Sequence, residues 1–264
     1  MPVLEQVVNL GVAERAQALS RAGAIVSHSP QVPPQASRAF LTEAAGNLKT
    51  IPDARRKLAA ASDWVVAMGE LLMAQAGTQA RIGAWSRAQS ADASVDELIR
   101  QAPDDAALMR LHAINYQIRQ QAGQGDKAGQ SLDAALALAN KAGNLPERAA
   151  QLRAVARLSG AGASPRMQAA LAATQAQAAG KSGVERAQAL VALAVLNAEA
   201  GLRAKAAELT QLAKATTGLS AVDIAAVNAD LAVRTDMADA RVLHAVGMYA
   251  ETEAALQRVA STLL

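Results

Sequence analysis

The chain has 264 residues, 52% of them hydrophobic and only 2% aromatic, with no cysteine and a formal charge of +3. This excludes disulfides, thiolate nucleophiles and cysteine-based zinc or iron–sulfur sites, and it supplies enough apolar material for one elongated domain or two small ones. The aromatics are Phe40, Trp64, Trp85, Tyr116 and Tyr249; most other apolar residues are Ala and Leu, which favour helix over strand, so an all-α protein is expected.

Taken in chain order, the N-terminus carries no basic segment ahead of its apolar residues and does not read as a secretory signal. A cytoplasmic location is the default reading, and a periplasmic one applies if a signal has been removed. A helix starting near Glu14 gives way to a loop over 27–35, where three prolines oppose helix. Asp53, preceded by Pro52, opens the next helix, in which Met68, Leu71 and Leu72 keep helical spacing. Trp64 and Trp85 are expected in the core. Residues 77–102 are irregular: 90–94 (Ser-Ala-Asp-Ala-Ser) read as a break, and 95–100 as a short extra helix. Further helices start at Asp104 and Glu147, each preceded by proline, and polar or glycine breaks follow at 123–126, 160–162 and Gly201. A last helix is expected over 238–264. Because it ends in Ser-Thr-Leu-Leu instead of a polar cap, it reads as truncated or as a contact for self-association.

These starts form a ladder. Glu-Arg-Ala-Gln-Ala-Leu occurs identically at 14–19 and 185–190, a variant spans 147–152, and looser relatives begin at Asp53, Asp104 and Asp223. The spacings are 39, 51, 43, 38 and 38 residues. Each leading acid is placed in a first helical turn, where it favours the positive end of the macrodipole. The clearest copy spans 184–218. Leu190, Leu193 and Ala194 share one face of its first helix, Ala206, Leu209 and Ala213 one face of its second, and Gly218 is read as the helix-closing C′ residue.

With Leu190, Leu193, Ala194, Gly201, Ala206 and Ala213 at matching intervals, the chain resembles tetratricopeptide-like helical hairpin repeats. The units are longer than the usual ~34 residues, and the aromatic positions are mostly aliphatic. The resemblance is good over about 103–218, fair over 13–60 and poor over 77–102. It implies an α-solenoid, a right-handed superhelix of about six helix–turn–helix repeats of roughly 38–51 residues. One domain over 1–264 is expected, less regular over 1–102 and more regular over 103–264.

Residues that carry chemistry are scarce. His28, His112 and His244 have no partners at zinc spacing, and Asp236, Asp239 and His244 follow no usual ligand motif. No phosphate-binding glycine loop or nucleophile elbow occurs. Asp104–Asp105 and Asp96–Glu97 read as helix-start acids. No catalytic residue, metal or cofactor is therefore assigned. No segment reaches the about 20 apolar residues a membrane span needs, so a soluble protein is expected.

Charge is unevenly distributed. Residues 141–214 hold ten basic and four acidic residues, a balance of +6, whereas three basic and six acidic residues from 215 onward leave −3. Arg153 and Arg157 lie four apart on one helix face, and Asn115 and Arg119 take the equivalent places one unit earlier. The resemblance implies that these four line a concave groove, where guanidinium groups grip a carboxylate. The expected function is a protein-interaction scaffold, not an enzyme, holding a peptide or partner helix, of acidic character, in that groove. Three other readings stay open: an α-superhelical hydrolase or DNA-repair enzyme, a nucleic-acid binder using the basic face, and a structural subunit of a larger bacterial envelope or regulatory assembly. Nucleic acid is disfavoured because stacking aromatics are nearly missing.

Overall fold

The computed structural model describes residues 11–29, 32–77, 84–199, 202–225 and 249–263, with 227, 229, 233 and 237. Among them every regular element is helical. Eleven helices are bounded: α1 (Val12–Ser27), α2 (Pro34–Lys49), α3 (Ala54–Gly77), α4 (Ala84–Arg100), α5 (Asp105–Gln121), α6 (Gly125–Ala139), α7 (Leu145–Ser159), α8 (Pro165–Ala179), α9 (Gly183–Glu199), α10 (Arg203–Lys214) and α11 (Tyr249–Leu263). The expected all-α class is found, and within each unit helices pack on their neighbours in chain order, as in a solenoid-like fold. No helix among the described residues is long and apolar enough to cross a membrane.

The chain divides into two compact units, 1–138 and 139–264. In the first, α1 packs on α2, α3 on α4, and the first helices of successive hairpins also touch, α1 on α3 and α3 on α5. In the second, α7 packs on α8 and α9, and α9 also packs on α8 and α10. Within each unit, contact of one first helix with the next is what stacked hairpins require, because no single hairpin can bury its apolar face alone. Small residues permit the close approach. Ala16, Ala44, Ala60, Ala149, Ala187 and Ala194 are fully buried.

The ladder of acids marks helix starts in two ways. Glu14, Glu147 and Glu185 lie in the first turns of α1, α7 and α9. Asp53 and Asp104 instead stand just before their helices, accepting from the N–H of Arg56 at 2.8 Å and of Ala107 at 2.7 Å. The shorter side chain of Asp reaches a free amide from outside the helix. Asp223 differs again. Its carboxylate accepts from the backbone N–H of Ser220 at 3.0 Å and from its hydroxyl at 2.6 Å, while its own N–H donates to that hydroxyl oxygen. This is a reciprocal capping box, and the Ser220 bonds hold the Asp223 carboxyl below its usual pKa.

Four local expectations are corrected. The break at 90–94 does not exist. α4 runs through it because Ala88, Ala91, Val95 and Leu98 form one buried stripe, while the Ser94 hydroxyl bonds back to the Ser90 carbonyl at 3.0 Å. Asp96–Glu97 consequently lies inside a helix and not at a start. The loop after α1 is shorter than expected, since Pro34 occupies the first turn of α2, where its missing N–H costs no bond. Gly218 has a left-handed φ of 80° but lies beyond the end of α10, which closes at Ala215, so it shapes the following turn. Gly160, by contrast, does cap its helix, ending α7 at φ 64°.

Gly201 lies outside the described residues, as do 238–248 of the expected last helix. On α11, Thr252, Ala255 and Val259 are buried at i, i+3 and i+7, which turns that stripe inward, while Leu256 is 45% exposed.

Candidate functional site

The four expected site residues divide into two pairs with different surroundings. Asn115 and Arg119, on α5, are turned into the first unit. Arg119 is only 14% exposed in its side chain, and its guanidinium reaches four oxygens on two other helices. Nε donates to Asp92 at 2.7 Å, Nη2 to both oxygens of Asp96 at 2.9 and 3.0 Å, and Nη1 to the hydroxyl of Ser131 at 2.8 Å. Asn115, fully buried, donates to Asp96 at 2.9 Å. The pair thus ties α5 to α4 and α6. Burial of these groups is tolerated because the one Arg119 cation is hydrogen-bonded to both aspartates, Asp96 remaining 39% exposed.

His112 stands one turn before Asn115, half-buried. Burial and the Arg119 cation together hold its pKa below the usual 6.5, while Asp96 pulls weakly the other way. The sign follows directly. With the folded pKa depressed, the unfolded chain binds the proton first as pH falls below 6.5, so stability is full above that value and declines beneath it. Melting temperature is therefore expected to drop between pH 7.5 and 5.5, and His112→Gln is expected to flatten part of that slope. An unchanged slope in the variant would assign the acid sensitivity to other groups.

Arg153 and Arg157 lie on α7 in the second unit. They share an open recess of about 200 Å³ with Ala150 and Ala154, so the one-turn spacing read from sequence does place both on one wall. Arg157 is exposed, and its position in the last turn of α7 also suits the negative end of that helix. Arg153 is half-buried and already interacts within the protein. Ala150 and Ala154 contribute only small side chains to that recess.

The surrounding basic stretch is partly neutralised at home. Lys181 pairs with Glu185 at 3.4 Å and Lys205 with Glu208 at 2.8 Å. Arg148, second residue of the repeated hexamer motif, donates to the Asn140 carbonyl at 3.2 Å and to the Gln177 side chain. Its place in the repeat has a structural use.

Trp64 is half-buried on α3, with its indole N–H donating to the Leu41 carbonyl at 2.9 Å. The side chain of Trp85 lies outside the described residues, as do Asp236, Asp239 and His244. Among the described residues no group of three or more His, Asp or Glu could hold a metal ion. Sequence reasoning missed the partners of Arg119, Asp92 and Asp96. Their i, i+4 spacing was available as a signal, but it was hidden by the expected break at 90–94.

No family model, no curated protein and no solved structure matches this chain.

Proposed function

We propose that this protein is a protein-interaction scaffold of the tetratricopeptide-like kind and that α7 holds an acidic segment of a partner. The observation that carries the reading is the pairing of Arg153 and Arg157 on one open recess, floored by alanine. Each guanidinium can meet a carboxylate with two parallel N–H donors, a geometry that lysine cannot supply. Asn115 and Arg119 have no part in this version of the site, since their donors face Asp92 and Asp96. Stacked hairpins present extended surfaces for such segments, which agrees with the reading.

The test is fluorescence anisotropy with labelled acidic, neutral and basic peptides of equal length. Wild type is expected to prefer the acidic peptide. The Arg153→Glu/Arg157→Glu double variant, checked for helicity, is expected to lose that preference by about ten-fold or more, because two attractions become two repulsions. Raised salt should weaken the wild-type complex only. Equal binding by both proteins would sink the reading. A preference for single-stranded nucleic acid over acidic peptide would replace it with the nucleic-acid alternative.

A further inference from the structure

A second concavity lies in the first unit, between α2 and α3, with a volume of about 350 Å³. Its floor includes Leu41 and Leu71, which are 1% and 2% exposed and pack with Ala67 in one apolar cluster. Half-buried Met68 and Leu72 line it alongside Trp64, at i, i+4 and i+8 on α3. The polar lining residues are Arg38, Thr42 and Gln75.

The arrangement has a direction. Arg38, early in α2, reaches Gln75 near the end of α3 at 3.5 Å, whereas Leu41 meets Trp64 near the middle of α3. The helices are therefore antiparallel, the cation marks one end of the furrow and the indole the other. Trp64 has its N–H engaged by Leu41, so the ring presents apolar surface to the furrow. Among the described residues, the hydrogen bond of the Arg38 guanidinium goes to the neutral Gln75 oxygen, at the outer limit of such a bond. None of the described lining residues is acidic.

Length, lining and charge suit a small occupant. From Trp64 to Gln75 the furrow follows about 16 Å of helix. A single extended chain of methylenes matches that length, and the volume falls at the small end of ligand sites, about 300–1,000 Å³.

We propose that this furrow binds a small amphiphile with one carboxylate head and an unbranched apolar tail. The head displaces Gln75 from Arg38 and takes two guanidinium N–H donors, with the Thr42 hydroxyl beside it. The tail lies over Leu41, Met68 and Leu72 toward Trp64. One cation at one end and an apolar remainder match a monoanion of head-and-tail shape.

The experiment uses the full chain carrying Trp85→Phe, so that Trp64 is the sole tryptophan, titrated with decanoate and with decanol below their aggregation limits. Decanoate is expected to change Trp64 emission saturably and to bind about five-fold more tightly than decanol, the increment of one exposed ion pair. Arg38→Gln, at an exposed site that threatens no fold, should bring decanoate to the level of decanol and leave decanol unchanged. Leu72→Asn should weaken both, with helicity confirming the fold. Equal affinity for acid and alcohol, or an Arg38→Gln variant that binds decanoate as wild type does, overturns the proposal. So does a Trp64 response to an amphipathic peptide with none to decanoate, or a dimer in sedimentation whose contact shields Trp64. None of these outcomes touches the reading of α7, which is tested by different residues and a different probe.

Discussion

Arg119→Ala is expected to destabilise the protein by about 3–5 kcal/mol, the range for removing one partner of a buried pair. Asp92 is 11% exposed in its side chain and would keep its charge with no cation against it. Asp96, 39% exposed, can rehydrate and contributes less, so the lower half of that range is the better expectation. Asn115 keeps its bond to Asp96, but Ser131 loses a donor. Arg119→Lys should recover only part of the loss, because one ammonium cannot serve both aspartates and the serine in the same plane. The informative companion is Arg119→Met with Asp92→Leu. If the pair is retained for specificity and not net stability, the double variant should fall far less than Arg119→Ala alone. Urea denaturation at pH 7 measures all three. A loss under 1 kcal/mol for Arg119→Ala would mean that Asp92 finds water or another cation.

Leu193→Ala is expected to cost about 2–5 kcal/mol, while Val184→Ala on the same helix should stay within about 0.5 kcal/mol. The contrast comes from where α9 sits. It packs against α7, α8 and α10, and Ala187, Leu190, Val191, Leu193, Ala194, Val195 and Leu196 are all at most 2% exposed. A helix apolar on nearly every side is a buried one, and its centre has no solvent to relax into. Leu193 is 1% exposed, so truncation leaves a void that neighbouring alanines are too short to fill. Val184, in the first turn, is 38% exposed and loses little. Thermal or denaturant unfolding decides the point. Equal losses at both sites would mean that α9 is rotated from the orientation described.

Much of this fold was legible in the residues because the signals are local. A leading acid, a preceding proline and a closing glycine act within one helical turn, and the ladder of acids located the first helices of the hairpins. Apolar spacing within a helix is equally local. Spacing puts Leu190, Leu193 and Ala194 on one face of a helix and Ala206, Leu209 and Ala213 on one face of the next, and all six are buried. Reading by clusters of polar residues failed where a buried stripe outweighed them, as in α4. Serine at 90 and 94 weakens a helix only slightly when its hydroxyl bonds back to the preceding turn.

The site was less legible, for a physical reason that separates the two arginine pairs. Arg153 and Arg157 depend on one helix alone, so their shared face followed from a spacing of four. Asn115 and Arg119 have the same spacing, yet what they do depends on Asp96 and Asp92, 19 to 27 residues away on another helix. Sequence periodicity determined that these are helical hairpins with apolar faces inward. Only the crossing of one helix over another decided which charges meet, because such contacts need the register between helices, and no local preference encodes it.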